Sequence, residues 1–206
     1  MNSEIKKYIQ KVVIDLGKIP QKRKKILLEI VSYIKQNYLI EDRSNIIFIC
    51  THNSRRSQLA QCWLSVSCRY YNLNKINTFS GGLEITSLNS NALNALKRSG
   101  FIVNHIDTKD NIYLLKTSKK NKGQTLYSKK HDSKNNPQRK FLAIITCSDA
   151  NKQCPVVRGA DKKIFLPYHD PRISDGSGLE KTTYDQSCFN IAQEMFYIMK
   201  KVKEVI

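Results

Sequence analysis

The sequence predicts an α/β fold built around a parallel β-sheet. Three runs with strand character, residues 45–50, 77–80 and 141–146, each end in a polar or glycine-rich loop. The first is followed by an amphipathic helical pattern over residues 54–72, and the second by another helical pattern that contains Leu93 and Leu96 and ends at Gly100. Strands that alternate with helices are typical of parallel sheets, which bind ligands at the carboxyl ends of their strands.

Two amphipathic helices are predicted before the first strand. One apolar stripe runs through residues 3–16, Gly17 and Pro20 end that helix, and a second stripe extends from Leu27 to Tyr38. The chain therefore divides into an N-terminal helical extension, residues 1–43, and a main domain, residues 44–206. We expect the extension to pack onto the main domain, with contact to a second copy of the chain as the alternative.

The main domain carries an insert at about residues 105–140. Residues 112–116 and 125–128 alternate as two short strands around a basic turn with Gly123, which predicts a β-hairpin. The tail of the insert, through Asn135, Asn136 and Pro137, is expected to be an exposed loop. After the insert the chain is predicted to form the strand at residues 141–146, a last short strand at residues 163–166 and a closing amphipathic helix from residue 181 onward.

The first strand ends on Cys50, and Arg56 follows after five intervening residues. A strand that ends there and a helix that starts near Ser54 leave a loop of inward-pointing amides, which binds a tetrahedral oxyanion. The positive end of the helix and a nearby guanidinium favour a nucleophilic thiolate, and the planar fork of Arg56 can grip two anion oxygens. The residues expected to bind the oxyanion are Thr51, His52, Asn53, Ser54, Arg55 and Ser57.

Two further cysteines lie near a strand end. Cys147 follows the strand at residues 141–146 as Cys50 ends the first strand, and Cys154 comes seven positions later. If the intervening segment were a regular helix, the two thiols would be about 10 Å apart, too far for a disulfide unless the segment unwinds. The remaining thiols, Cys62, Cys68 and Cys188, follow helical stripes and are expected in the core.

The chain has 206 residues and a formal net charge of +18, which is unevenly distributed. Residues 1–43 carry ten basic and five acidic side chains, and residues 116–140 carry nine basic and one acidic. A nucleic-acid or anionic-membrane surface is one interpretation. Because the charge is mostly lysine mixed with asparagine and isoleucine, we expect neither nucleic-acid nor membrane binding. No metal-ligand cluster, signal peptide or membrane span is recognisable, so a cytoplasmic protein without metal or cofactor is expected.

Four stretches, taken together and in this order, resemble a known family. They are residues 50–57, the Ser80-Gly81-Gly82 stretch, residues 146–155 and the Asp170-Pro171 pair. This pattern is similar to the low-molecular-weight protein tyrosine phosphatases and to the thioredoxin-coupled arsenate reductases that share their fold. The resemblance covers roughly residues 44–104 and 141–203, so it implies that the main domain is a catalytic domain. It also implies a four-stranded parallel sheet flanked by helices.

The resemblance implies roles for individual residues. Cys50 would be the nucleophile, Arg56 the oxyanion clamp and Asp170 the general acid in both branches. The segment from Cys147 to Cys154 is similar to the redox segment of the reductases, in which one thiol attacks the arsenate adduct and the other passes the disulfide outward to thioredoxin. Arsenate reduction is therefore the leading hypothesis, with thioredoxin or a similar thiol reductant as co-substrate.

Two other function classes remain open at this point. A phosphotyrosine phosphatase would use the same loop and Asp170 to hydrolyse phosphate monoesters, although Arg172 stands where those phosphatases carry aromatic residues. A basic binding module with a vestigial loop would use neither. The expected ligands are accordingly arsenate, phosphate or a phosphorylated substrate.

Overall fold

The computed structural model describes residues 1–41, 43–153 and 156–206. Six α-helices occur in this part of the chain: α1 (Ser3–Ile14), α2 (Gln21–Ile40), α3 (Arg56–Tyr70), α4 (Ser90–Arg98), α5 (Ser148–Gln153) and α6 (Glu180–Val205). The strands are β1 (Ser44–Cys50), β2 (Ile76–Gly82), β3 (Ile102–Asp107), β4 (Ile112–Lys116), β5 (Gln124–Leu126), β6 (Phe141–Ile145) and β7 (Ala160–Phe165). Short 3-10 helices cover Asp15–Lys18 and Pro171–Ser174.

The main sheet is parallel, has four strands in the order β2-β1-β6-β7 and is flanked by helices, as the sequence predicts. Strands β1 and β6 occupy its centre, and almost all of their residues are buried, which explains their continuous apolar character. In the register between them, Ile49 pairs with Ile145. The carboxyl ends of the two central strands therefore lie side by side, at Cys50 and Thr146.

The two N-terminal helices pack against α6 and share the core of the main domain. Ile5 and Ile9 of α1 and Leu27 and Ile30 of α2 are almost completely inaccessible to solvent. Tyr8 stacks on Trp63 of α3, with ring centroids 5.2 Å apart. The apolar faces of both helices are thus covered within the chain itself. In the described part of the chain, no helix combines the length and apolarity needed to cross a bilayer.

The insert forms a three-stranded antiparallel sheet in the order β3-β4-β5. Strands β4 and β5 are the predicted hairpin, and Gly123 precedes β5 with φ +85°. Strand β3 was not predicted. It lies at the edge of this sheet and exposes Asn104 and His105, so its residues lack the apolar alternation that marks a strand.

The tail of the insert is a loop in which Asn135 is exposed, as predicted, but the prediction is wrong for Asn136. Asn136 is only 4% exposed, and its side-chain amide donates to the carbonyl groups of Ser80, Lys130 and His131. The backbone of the tail also bonds to Gly82, which donates to the Lys129 carbonyl and accepts from the His131 amide, both at 2.8 Å. The Asn136 side chain and the backbone of the insert therefore pack along the outer edge of β2.

Replacement of Gly100 by alanine is expected to detach α1 from the main domain. Gly100 has φ +98°, which is unfavourable for an L-residue, and an added Cβ would lie 2.4 Å from the backbone nitrogen of Ile5. We expect Gly100→Ala to lower the free energy of unfolding by roughly 2–4 kcal/mol in urea denaturation. Gly17→Ala is the control, because no heavy atom lies within 4 Å of its added Cβ. Equal stability of the two variants would contradict this account of the α1 contact.

Candidate active site

Cys50 lies at the carboxyl end of β1, at the start of the loop that leads into α3. Its thiol is 4% exposed, and the sulfur is 3.1 Å from the Ser57 hydroxyl and 3.2 Å from the Asn53 amide nitrogen, which donates to it. Asn53 Nδ2 donates to Ser57 Oγ at 2.9 Å. Since Ser57 accepts that bond, its own hydrogen is free to point at the sulfur. Two groups that can donate thus converge on the Cys50 sulfur.

Asn53 stabilises the loop between Cys50 and α3 through both its backbone and its side chain. Its φ of +47° places it in the left-handed region, and its side-chain oxygen accepts from Gln58 Nε2 at 3.0 Å and from the Lys129 backbone amide at 3.1 Å. Gly82 packs closely against the same loop, because a Cβ there would lie 2.8 Å from the Thr51 carbonyl oxygen. The insert and the end of β2 therefore support the loop from outside.

Arg56 begins α3, and its guanidinium reaches the segment that follows β7. One terminal nitrogen donates to the Tyr168 carbonyl oxygen at 3.1 Å, and the other forms an ion pair with Asp170. The Arg56 side chain is 12% exposed and that of Asp170 is 30% exposed. The structure thus brings Asp170 to Arg56, at the end of the loop that begins after Cys50, and the carboxyl group is the more exposed of the two.

Cys147 lies beside the same loop. It follows β6, is 2% exposed and shares a buried cluster with Cys50, and its sulfur is 3.5 Å from the Thr51 hydroxyl oxygen. The side-by-side ends of β1 and β6 produce this proximity. Cys154, the predicted relay thiol, lies outside the described residues.

The chain is similar to characterised arsenate reductases. It is 30% identical over 131 residues to "Arsenate reductase 2" of Staphylococcus epidermidis, and the match covers 63% of this chain and 80% of that protein. The chain belongs to the family of arsenate reductases that share the low-molecular-weight phosphatase fold. No protein-family model matches it.

Solved structures support the fold of this arsenate reductase family member. A YwlE mutant from Bacillus subtilis aligns with a TM-score of 0.53 at 17% identity, covering 78% of this chain and 99% of that one. A low-molecular-weight phosphotyrosine phosphatase from Vibrio cholerae aligns with the same TM-score at 14% identity, covering 76% and 95%. At these identities the likeness concerns the fold alone.

Several of the predicted oxyanion-binding side chains in this family member are engaged elsewhere. Arg55 Nε donates to the Tyr184 hydroxyl at 2.8 Å, and Arg55 also forms an ion pair with Asp175 at 3.3 Å. Its side chain is directed to Tyr184 of α6, and its charge is paired with that of Asp175. Ser54 donates its hydroxyl to the Ser87 carbonyl oxygen at 2.6 Å. The Nε2 atom of His52 lies 3.5 Å from Glu84 Oε2, and the ring is partly exposed at the surface.

The other thiols of this arsenate reductase family member are buried in the helical layer, as their spacing predicts. Burial raises the pKa of Cys68 to about 12 and that of Cys188 to about 11, and burial also raises the pKa of Cys62. All three therefore stay protonated at neutral pH, which makes them poor nucleophiles.

Lys129 and Gln58 support the loop, although sequence reasoning did not single them out. Gln58 Nε2 bonds to both Asn53 and the Tyr127 carbonyl oxygen, which joins α3 to the insert. Lys129 is 7% exposed, its ammonium lies 4.5 Å from the centroid of the Tyr127 ring, and burial lowers its pKa to about 8. A lysine within a basic segment gives no sequence signal of burial.

Proposed function

We propose that this protein is a thiol-dependent arsenate reductase that uses Cys50 as nucleophile and Cys147 and Cys154 as a disulfide relay. The observation that carries the proposal is the second thiol, Cys147, in the same buried cluster as Cys50, at the carboxyl end of the neighbouring strand. A phosphatase needs only the first of these thiols. The similarity to arsenate reductases supports the same choice.

The proposed reaction uses three thiols in turn. The Cys50 thiolate attacks arsenic, a protonated oxygen leaves as water, and the loop amides with Arg56 hold the remaining oxygens. Cys147 then attacks the Cys50 sulfur, and the electron pair of the broken sulfur–arsenic bond reduces arsenic(V) to arsenic(III), releasing arsenite. Cys154 attacks Cys147, which frees Cys50 and leaves a Cys147–Cys154 disulfide. A dithiol protein such as thioredoxin reduces that disulfide, which places the reaction in a reducing compartment, the cytoplasm.

The second candidate function is phosphate monoester hydrolysis through a phosphocysteine at Cys50. The location of Asp170 next to Arg56 supports it, because an ester whose phosphate is bound by Arg56 would have its leaving oxygen close to a carboxyl group that, when protonated, can act as general acid. Arsenate and phosphate share the tetrahedral shape and charge that the loop binds. The two activities can therefore occur at one site.

Variants of the two relay thiols, Cys147 and Cys154, distinguish arsenate reduction from phosphate ester hydrolysis. We expect Cys147→Ser to abolish arsenate reduction while aryl-phosphate hydrolysis remains within a few-fold of wild type. Cys154→Ser should release about one arsenite per enzyme and then stop, with multiple turnover in the presence of thioredoxin reduced at least 100-fold, roughly the effect of losing one obligatory nucleophile. Arsenite release and aryl-phosphate hydrolysis are measured side by side, with and without thioredoxin.

Cys62→Ala is the matched control for the relay variants, since Cys62 is buried in α3 and burial raises its pKa. It should retain both activities. Unchanged multiple turnover of arsenate in Cys154→Ser would overturn the relay, and a wild-type protein that hydrolyses aryl phosphate without reducing arsenate would favour the phosphatase.

A further inference from the structure

A buried ion pair joins the N-terminal extension to α6. Arg23 of α2 donates to both carboxylate oxygens of Glu194, at 2.5 Å from Nε and 3.0 Å from Nη2. The two side chains are only 18% and 10% exposed. A bidentate pair between a guanidinium and a carboxylate in such surroundings has a fixed geometry, so it can hold a third group in place.

That third group is Tyr168, on the segment between β7 and Asp170. Its hydroxyl donates to Glu194 Oε2 at 2.6 Å, and the Arg23 guanidinium carbon lies 4.7 Å from the centroid of its ring. Its backbone amide donates to the Thr146 carbonyl oxygen at 3.0 Å. Tyr168 is thus fixed by the ion pair through its side chain and by the main sheet through its backbone.

The backbone of Tyr168 in turn fixes the anion clamp. Its carbonyl oxygen accepts from Arg56 Nη1 at 3.1 Å, and Asp170, which pairs with the other end of the guanidinium, follows two residues later. A displacement of Tyr168 would therefore move both groups that Arg56 contacts.

The segment has little other support on the side of the extension. Residues 167–171 border a cavity of about 870 Å³, whose other walls are formed by residues 18–20, Arg23 and the outer face of α6. The Tyr168 ring packs against the core. On the side of the cavity the segment is held by the hydrogen bond that the Tyr168 hydroxyl donates to Glu194 and by the bonds that Arg23 donates to Glu194.

We propose that Arg23, Glu194 and Tyr168 are positioning residues, through which the N-terminal extension sets the geometry of Arg56 and Asp170. The inference rests on the oxyanion site of the proposed function, but not on the choice between arsenate and phosphate esters. The three residues touch no substrate and act through Arg56. The extension is therefore part of the catalytic apparatus as well as part of the core.

Tyr168→Phe tests the proposal with the smallest change. It removes the hydroxyl and keeps the ring and the backbone carbonyl that accepts from Arg56. We expect kcat/KM for aryl phosphate and arsenate to fall about tenfold, the effect of one hydrogen bond to a charged group. The affinity for inorganic phosphate, measured by calorimetry, should fall by a similar factor. Tyr33→Phe is the matched control, because Tyr33 is a buried tyrosine of α2 whose hydroxyl donates to Asp161 at 2.8 Å, outside this network. It should change neither quantity.

A double variant distinguishes positioning from a general loss of stability. If Tyr168 acts on the bound anion through Arg56, adding Tyr168→Phe to Arg56→Lys should cause no further loss of phosphate affinity. Multiplicative losses would overturn the proposal, and so would wild-type phosphate affinity in Tyr168→Phe. If that variant fails to fold, Glu194→Gln takes its place, since it keeps an acceptor for the tyrosine and removes the charge paired with Arg23. Phosphate affinity is measured without turnover, so failure of the proposed function would show separately, as a wild-type protein that binds phosphate and turns over neither substrate.

Discussion

Cys50→Ser is expected to abolish turnover of both arsenate and aryl phosphate, with rates at least 10⁴-fold below wild type. A serine hydroxyl is a much weaker nucleophile than a thiolate, and the two groups that bond to the Cys50 sulfur, the Ser57 hydroxyl and the Asn53 amide, are not general bases. Removal of a nucleophile from an assembled site costs several orders of magnitude in rate. The measurement is steady-state turnover of each substrate, with mass spectrometry to detect any covalent adduct.

The fold should survive this change, since serine is similar in size to cysteine and the Asn53 amide can donate to its oxygen. Phosphate affinity should stay within a few-fold of wild type, which shows that the loop is intact. Cys62→Ala is again the control and should retain both activities. Unaltered turnover in Cys50→Ser would remove the basis for either enzyme and would favour a basic binding module.

Most of the fold could be predicted from local sequence patterns. The central strands β1 and β6 are buried on both faces, so they appear in the sequence as unbroken apolar runs. Strand β3 could not be found in this way, because its residues are half exposed and its pairing with β4 depends on contacts such as the stacking of His105 on Tyr113, with centroids 4.3 Å apart. The burial of Asn136 in the tail of the insert was missed for a related reason. A polar residue such as Asn136 is buried only when backbone acceptors surround it, and Ser80, one source of them, is 56 residues away.

In the candidate site, too, some contacts can be predicted from the sequence and others cannot. The spacing of Cys50, Asn53 and Ser57 within one loop made their contacts predictable from the sequence, because the loop itself sets the distances. The direction of each arginine was not predictable. Arg55 and Arg56 are adjacent in the chain, but their partners Asp175 and Asp170 lie 120 and 114 residues away. Only the packing of the 168–175 segment against α3 decides which carboxylate each guanidinium meets.

Arg56→Lys is expected to lower kcat/KM for both substrates about 10³-fold, whereas Arg55→Lys should lower it tenfold at most. The guanidinium of Arg56 is a planar fork whose two terminal nitrogens bond to the Tyr168 carbonyl oxygen and to Asp170. Lysine retains the charge but loses the two-point geometry with which such a fork can hold an anion. Loss of one donor to a developing oxyanion costs 10²–10³-fold in rate, and here two donors are affected. The loss should appear both in kcat and in the affinity for inorganic phosphate.

Arg55→Lys is a stringent control because the two variants make the same chemical change at adjacent positions. Arg55 is tied to Tyr184 and Asp175 on the far side of the loop, where an ammonium can keep one of the two contacts. Its effect should therefore be a small loss of stability, up to about 1 kcal/mol in urea denaturation, since one partly exposed contact is weakened. Equal losses of activity in the two variants would mean that Arg55 leaves Asp175 when the anion binds. In that case the loop would use two guanidinium groups, and the charge of Arg55 would contribute directly to substrate binding.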